Sequence, residues 1–435
     1  MSAMTIGLFG LASLIVLLAV RLPVGLSLAL VSFFGVLAIR DTNAAIGMVK
    51  SMPYDFVAHW SLSAIPLFLL MGNIAYNTGI TEALFVVMRR LVRRLPGGLV
   101  IATNLAGAGF AAVSGSSMAT AAALGRIAAP EMIKVGYQPA LAGGAIAATG
   151  TLGALIPPSI LMVLFAVFAQ VSVGQMLIAG ILPGLLTVAV YVGMVSLRCW
   201  FDPSIAPRAE LDTSDAEFKA AARRVWPLPV ISILVLGGIY GGFFTSTEAA
   251  AFGAFFTLLV TVVQRSLTLT GLWNSVVETL ESTAAIFFVA VGAMFLTRFL
   301  ALSGLPFHIS GWIDDWGPDP LTLVLLACLV FLVLGMFLDA IGLMLLTLPV
   351  MLPIFRSYDM DIIWIGVLVV KLVEIGLMTP PVGLNVYVVK GVMGNTVTLD
   401  KLFRGVAWFL GAEIVIMALL IAFPSISTFL VTFMN

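Results

Sequence analysis

The chain of 435 residues is 61% hydrophobic and only 10% charged, and its formal net charge at pH 7 is zero. Soluble domains carry about 25% charged residues, so the composition excludes an ordinary soluble domain and favours a polytopic, all-α protein of the lipid bilayer. The balanced charge predicts no nucleic-acid binding. The cysteines and histidines show no metal-ligand spacing, and we predict neither catalytic residues nor a cofactor.

In chain order, apolar runs near 20 residues long predict about ten crossings. Thr245 to Glu248 predicts the start of one crossing helix, and Glu278 and Glu281 are assigned to an amphipathic interfacial helix that begins near Thr270. The first run has no preceding Lys or Arg, which predicts a transmembrane helix rather than a cleaved signal peptide. The predicted crossings are about 4–20, 24–39, 57–78, 139–170, 172–197, 227–243, 247–264, 282–302, 361–392 and 406–430.

The apolar stretch from Asn104 to Pro130 carries no charge before Arg126, yet its centre, Val113 to Ser117, is unfavourable for a simple spanning helix. Glycine permits non-helical backbone there, and serine hydroxyls compete for backbone hydrogen bonds. We therefore predict a re-entrant hairpin near residues 100–133 with a polar tip. One continuous helix of small residues, packed closely against its neighbours, is the alternative.

Basic residues predict the orientation of the crossings. Arginines cluster between Arg89 and Arg94, and further basic residues, from Arg198 to Arg224, belong to the only long polar loop. If both regions are cytoplasmic, about ten crossings and two hairpins are consistent, and both termini are periplasmic. A count of simple spans without hairpins would place the two regions on opposite sides, so the positive-inside rule favours the hairpins.

The two halves of the chain repeat one pattern. Gly153 to Pro158 (GALIPP) resembles Gly376 to Pro381 (GLMTPP) at an offset of 223 residues (380 − 157), and the same offset carries Ser116 onto Asp339. Five crossings per repeat is an odd number, so the second copy should be inverted, as in secondary transporters. We predict a first repeat at 1–198 with an inward-opening hairpin, a cytoplasmic linker at 199–226, and a second repeat at 227–435 with an outward-opening hairpin near 321–355.

Each proline pair should unwind a spanning helix and free backbone carbonyls, and we expect each hairpin tip to face the break in its own repeat. Loose carbonyls and hydroxyls can replace the water around a hard cation, which predicts two Na⁺ sites. Asp339 either ligates the ion or only caps the hairpin. The first site would use Ser114, Ser116, Gly153, Ile156 and Pro158, and the second would use Phe337, Asp339, Gly376, Thr379 and Pro381.

Half-helix N-termini at the same depth attract anions, so we predict a carboxylate substrate between the two tips. Lys371 and Glu374, three residues apart on one helix, are predicted to neutralise each other. Arg298 could pair with a carboxylate, or it could reach the outer interface as a snorkelling side chain. The predicted substrate contacts are Ser117, Thr120, Asn385 and Arg298.

At SGSSMATAAALG, GTLGALIPPS, FLDAIG and GLMTPPVGLN, the sequence resembles the large membrane subunit of tripartite ATP-independent periplasmic (TRAP) transporters, the DctM-like family. The resemblance covers essentially the whole chain. It implies sodium-driven uptake of a small organic acid across a bacterial inner membrane, with a transport domain that moves as an elevator against a scaffold.

The implied partners are a small four-helix membrane subunit and a periplasmic substrate-binding protein. We expect the small subunit on a separate chain, because the first large-subunit helix begins close to residue 1. A stand-alone sodium/dicarboxylate-type symporter, which works without a binding protein, is the alternative.

Overall fold

The structure, a computed structural model, describes residues 2–207 and 214–434. Within these ranges the chain is helical and contains no β-strand, which confirms the predicted fold class. Residues 208–213 of the predicted linker, and the two terminal residues, lie outside the described ranges.

The helices of the first half are α1 (Ala3–Ala19), α2 (Val24–Ile39), α3 (Thr42–Val57), α4 (Ala64–Asn77), α5 (Ile80–Val92), α6 (Gly98–Ser114), α7 (Ser117–Lys134), α8 (Pro139–Leu155), α9 (Ile160–Ala169), α10 (Val173–Ala179) and α11 (Ile181–Phe201). Those of the remaining chain are α12 (Asp215–Val225), α13 (Pro227–Tyr240), α14 (Ser246–Val263), α15 (Leu269–Ser303), α16 (Leu305–Trp316), α17 (Pro320–Gly335), α18 (Ala340–Ser357), α19 (Ile362–Gly376), α20 (Leu384–Met393), α21 (Leu399–Ala422) and α22 (Ser425–Thr428).

Both proline pairs interrupt their helices as predicted. α8 and α9 are separated by Pro157 and Pro158, and their axes are bent by 42°. α19 and α20 are likewise separated around Pro380 and Pro381. The same succession of two hairpin arms and one broken helix therefore occurs in both halves of the chain, while the inverted relation between the halves stays a prediction.

The two predicted hairpins are each a pair of helices with a short turn between them. α6 and α7 meet at Gly115, and α17 and α18 meet at residues 336–339. The base of the first hairpin is closed, because the Leu99 N–H at the start of α6 donates to the Tyr137 hydroxyl just after α7, at 3.4 Å. α6 and α7 therefore leave and return to the same end of the molecule, which argues against one continuous helix.

The two basic regions lie together at this end of the molecule. Arg89 on α5 forms ion pairs with Glu131 on α7 at 2.7 Å and with Glu217 on α12 at 3.0 Å. Arg90 pairs with Asp215, also on α12, at 2.7 Å. The base of the first hairpin, α5 and the helix of the predicted linker thus share one face of the molecule, and its cytoplasmic location stays a prediction.

In the described part of the chain, six helical segments are long and apolar enough to cross a membrane, and eight are if two bent pairs each count as one span. The helices α1, α2, α6 and α17 are shorter apolar helices. One bent pair was not predicted: α3 precedes α4 with a 60° bend, so the run assigned to 57–78 contains a turn near His59 and its α-helix begins at Ala64. The count of about ten crossings stays a prediction.

Two further expectations concern α14 and α15. The predicted helix start at Glu248 is confirmed, because the Thr245 hydroxyl accepts from the Glu248 N–H at 3.3 Å and the Glu248 carboxylate accepts from the Thr245 N–H at 2.8 Å. A helix does begin near Thr270, since α15 starts at Leu269, but it continues unbroken for 35 residues through the predicted crossing at 282–302. Residues 272–291 contain no glycine or proline, so nothing local ends the helix where its polarity changes.

Candidate functional site

The first hairpin tip docks directly onto the first helix break. Gly115 has a left-handed backbone with φ of 63°, and a Cβ there would lie 2.7 Å from the Pro158 carbonyl oxygen. Glycine is required for both reasons. The Ile160 N–H donates to the Gly115 carbonyl at 3.4 Å, which joins the tip to the start of α9.

The polar groups at this junction are closely packed. A Cβ on Gly153 would lie 2.5 Å from the Ser116 carbonyl oxygen, so α8 passes against the tip. The hydroxyls of Ser114 and Thr120 are 3.1 Å apart, and Thr120 also donates to the Ser116 carbonyl at 2.8 Å. The structure therefore brings together Ser114, Ser116, Gly153 and Pro158 of the first predicted ion site, with Ile156 between Gly153 and Pro158 at the end of α8.

Not every carbonyl that the prolines release is free. Ser159 caps the N-terminus of α9 by accepting from the Met162 N–H at 3.3 Å, and its hydroxyl donates to the Ala154 carbonyl. The Ala154 carbonyl is therefore not available as an ion ligand, although the prediction counted all carbonyls from Gly153 to Ile156 as free. Ser159 lies only five residues from Ala154, and serine is a common residue at the N-cap of a helix that begins directly after a break.

The second hairpin and the second break also meet backbone to backbone. A Cβ on Gly376 would lie 2.7 Å from the Cα atom of Gly335, so α17 and α19 cross at two glycines. Asp339 caps α18 by accepting from the Gly342 N–H at 3.0 Å, as Ser116 caps α7 at the aligned position. The Thr379 hydroxyl donates to the Ile375 carbonyl at 2.7 Å. Phe337 and Pro381 are exposed at this junction.

A cavity of about 350 Å³ lies between the two tips. The hairpins contribute Ser116, Ser117, Asp339 and neighbours, the breaks contribute Ala154, Ile160, Leu377 and Leu384, and α15 closes one wall from Ser282 to Val289. Such a volume holds a small organic molecule. Asp339 is the only charged residue that lines it within the described chain, so the polar character comes mainly from serine hydroxyls and helix ends.

The predicted substrate contacts are distributed unequally around this cavity. Ser117 lines the cavity, and its hydroxyl also donates to Glu374 at 2.5 Å. Thr120 is fully buried and belongs to the first tip rather than to the cavity wall. Asn385 is fully buried against α8, where its side-chain nitrogen would lie 3.1 Å from a Cβ on Gly150.

The structure does not bring Arg298 to the cavity. It is exposed on α15, roughly two and a half turns or ~13 Å along the helix beyond Val289. The position favours the alternative that the sequence left open, a snorkelling arginine. The sequence could not decide between a substrate contact and a snorkelling side chain for Arg298. The reason is that α15 is 35 residues long and extends well beyond the level of the cavity.

The sequence analysis missed a network of buried polar and charged side chains around Lys371. Lys371 does not pair with Glu374 as predicted; its ammonium group lies 2.8 Å from Glu413 on α21 and 3.1 Å from the Thr187 hydroxyl. Tyr191 also donates its hydroxyl to Glu413. Glu413 lies within the predicted crossing at 406–430, and a charged residue inside a crossing is a signal for a buried partner.

The comparisons with known proteins agree with this geometry. Residues 11–426 match the family model described as the tripartite ATP-independent periplasmic transporter, DctM component. The C4-dicarboxylate TRAP transporter large permease protein DctM of Pseudomonas aeruginosa is 37% identical over 345 residues, which cover 78% of this chain and 79% of that protein. The sialic acid TRAP transporter large permease protein SiaM of Vibrio cholerae is 31% identical over 419 residues, 95% of this chain and 96% of that protein.

The fold is also similar to a solved transporter. The YdaH transporter of Alcanivorax borkumensis superimposes with a TM-score of 0.64 over 89% of this chain and 90% of that one, at 14% identity, so the similarity concerns the fold alone. The family model covers nearly the whole chain, including both hairpins and both helix breaks. The chain therefore belongs to the DctM family, the large permease component of TRAP transporters, a transporter component and not an enzyme.

Proposed function

We propose that this permease imports a small organic acid, driven by sodium and dependent on a periplasmic binding protein, by an elevator movement. The observation that carries the proposal is the cavity of about 350 Å³ lined by both hairpin tips, both helix breaks and α15. A site at the meeting point of two broken-helix units is the usual substrate position in secondary transporters. The hairpins and broken helices would form the transport domain, and α15 would belong to the scaffold.

Sodium is the coupling ion that best suits the two tip–break junctions. The predicted ligands of the first junction are serine hydroxyls and backbone carbonyls and include no carboxylate, which favours a hard monovalent cation over a proton. Glu374, which accepts from Ser117 at 2.5 Å, is not among them. The second offers Asp339, Thr379 and the carbonyls around Gly376. We assign one Na⁺ to each junction, with the ligands predicted from the sequence.

An organic acid suits the cavity because helices begin at its walls. α7 starts at Ser117 and α18 starts at Ala340, and both residues line the cavity. The N-terminus of a helix presents unpaired N–H groups and a positive partial charge to an anion. Two relatives are named for C4-dicarboxylate and for sialic acid, and both compounds carry carboxylate groups. We therefore propose a dicarboxylate or a sugar acid as the substrate class.

The family implies a small membrane subunit and a periplasmic binding protein, and we propose both as partners of this chain in a bacterial inner membrane. The basic face at Arg89, Arg90 and α12 would be cytoplasmic, which places both termini in the periplasm. The first repeat would then open inward and the second outward, around the linker at 199–226.

Cysteine labelling tests this orientation. In a variant with Cys199 and Cys328 replaced by serine, a cysteine at Ser310 should react with an impermeant maleimide added to intact spheroplasts. A cysteine at Ser214 should react only after the membrane is opened. The reverse pattern would overturn the orientation without affecting the assignment to the family.

The function is tested by uptake in proteoliposomes that contain the chain, its small subunit and its binding protein. Succinate and N-acetylneuraminate are offered with an inward sodium gradient. Accumulation that needs both the gradient and the binding protein supports the proposal. Accumulation with sodium but without the binding protein supports the stand-alone symporter, and accumulation that persists without a sodium gradient overturns sodium coupling.

A further inference from the structure

A second cavity adjoins the one between the tips. It has a volume of about 250 Å³ and shares Leu69, Ser116 and Ser282 with the first. It runs from the tip along the first hairpin toward Arg126. This is the direction of the hairpin base, where the basic residues of α5 and the linker helix lie.

The side chains that α7 contributes to the cavity are mostly small, so they leave space beside the helix. Ala119, Ala122 and Arg126 recur at a spacing of three or four residues, so they share one face of α7, and together with the N-cap residue Ser116 they line the cavity. On the opposite wall, α4 contributes Leu69, Gly72, Asn73 and Tyr76, while α15 contributes Glu278 and Ser282. The small residues leave a passage between the tip and the guanidinium group.

Arg126 is held in place at the far end of this passage. Its Nη1 donates to the Tyr76 hydroxyl at 2.8 Å, and the Tyr76 ring packs against Phe110 with 6.3 Å between ring centroids. No carboxylate of the described chain lies within ion-pair distance of Arg126. Its remaining N–H groups can therefore bind an anion, and the planar guanidinium suits a carboxylate.

We propose that Arg126, positioned by Tyr76, is a second carboxylate subsite on the release path, which binds the substrate after it leaves the tip cavity. This inference rests on the proposed function. Glu278, on the opposite wall, accepts from the Asn77 amide at 3.3 Å and repels an anion. It keeps binding at Arg126 weak, as release requires.

The subsite predicts an asymmetric kinetic effect. Arg126→Gln removes the cation, and Arg126→Lys keeps the charge but not the planar pair of donors. In exchange assays with labelled acid outside and unlabelled acid inside, we expect Arg126→Gln to raise the half-saturating internal concentration about tenfold, the range for one charge-assisted contact. Arg126→Lys should have an intermediate value. The external KM and the half-saturating sodium concentration should stay as in the wild type.

Arg93→Gln is the matched control, since Arg93 is an exposed arginine at the same end of the molecule and lines neither cavity. An unchanged internal half-saturation in Arg126→Gln, or an equal change in Arg93→Gln, overturns the subsite. Wild-type proteoliposomes without sodium-dependent uptake would instead contradict the proposed function, so the two failures are distinct.

A labelling measurement covers the case in which the variants do not fold. The wild-type complex is treated with phenylglyoxal, and modification of Arg126 and Arg93 is followed by peptide mass spectrometry, with succinate or N-acetylneuraminate present. We expect either acid to slow modification of Arg126 severalfold and to leave Arg93 unchanged, with chloride at equal ionic strength giving no protection. Protection by neither acid overturns the subsite.

Discussion

The two hairpin–break units follow one backbone plan but differ in their surroundings. At the first, Pro157, Pro158 and the tip residue Ser114 are buried. At the second, Pro380 and Pro381 are exposed, and Phe337 is 61% exposed. The first junction is thus held by packing inside the protein, whereas the second lies where a neighbouring subunit, lipid or solvent can reach it.

The chemistry of the broken helices differs as well. At the offset of 223 residues, Lys371 and Glu374 of α19 align with Ala148 and Thr151 of α8. The first arm is neutral, and the second carries two fully buried charged residues. A repeat can therefore preserve the geometry of a break while one copy acquires a charge network, and the two copies should respond differently to substitution.

The largest expected effect is a loss of stability when the buried ion pair of α19 is broken. Lys371→Met leaves Glu413 buried without its cation, and such a change typically costs about 3–5 kcal/mol of stability. The double variant Lys371→Met/Glu413→Gln should recover most of the loss, because no unpaired charge remains. Thermal unfolding of the purified chain measures both.

Arg404→Ala is the control for this pair, since Arg404 and Asp400 form an exposed ion pair at 3.0 Å that should contribute little. If the single and double variants at Lys371 and Glu413 are equally unstable, the ion pair is not what stabilises this arm.

At the first unit the sensitive position is the tip itself. Gly115→Ala introduces a Cβ at positive φ and 2.7 Å from the Pro158 carbonyl, so we expect a loss of roughly 2–4 kcal/mol and little uptake. Gly79→Ala is the matched control, because Gly79 has φ of 75° but no atom within 4 Å of the added Cβ.

Gly79→Ala should therefore retain uptake and show only the smaller cost of the backbone conformation. Equal losses in the two variants would mean that the tip does not dock on the break. Among the described residues, the second tip at 336–339 has no residue with positive φ, so a tip glycine with this backbone conformation occurs only in the first unit. The closely packed glycines of the second unit are Gly335 and Gly376, where α17 and α19 cross.

These contrasts show which features were accessible from the sequence. The hairpins and breaks could be predicted because Gly115, Ser116 and the proline pairs act on the backbone within a few residues. The partner of Lys371 could not, since Glu413 lies 42 residues away and the choice between it and Glu374 depends on how α19 and α21 pack.

The sequence also could not show which arginine side chains reach a cavity inside the helix bundle. Arg298 and Arg126 are both arginines in apolar runs, but of the two only Arg126 lines a cavity beside the hairpin tips. The sequence does place Arg126 on the return arm of the hairpin, with small residues toward the tip. It does not show that Tyr76 lies opposite, because α4 and α7 meet only in the fold.

The smallest expected effects distinguish the two ion sites. Ser116→Ala removes a proposed sodium ligand worth about 1 kcal/mol of binding, so the half-saturating sodium concentration should rise about fivefold. The same change removes the cap of α7, which should lower the stability of the chain by about 1 kcal/mol. Asp339→Ala should behave similarly at the second site. Sodium-dependent uptake in proteoliposomes measures both, and unchanged sodium dependence in both would contradict the assignment of the sites.

Asp339→Asn then decides what the aspartate does. Asparagine caps a helix about as well as aspartate, so it should preserve the bond to the Gly342 N–H while removing the negative charge. If Asp339 only caps α18, Asp339→Asn should show wild-type sodium dependence and Asp339→Ala should not. If the carboxylate ligates the ion, both variants should weaken sodium binding, and the second site would then differ from the first in supplying a charge to the cation.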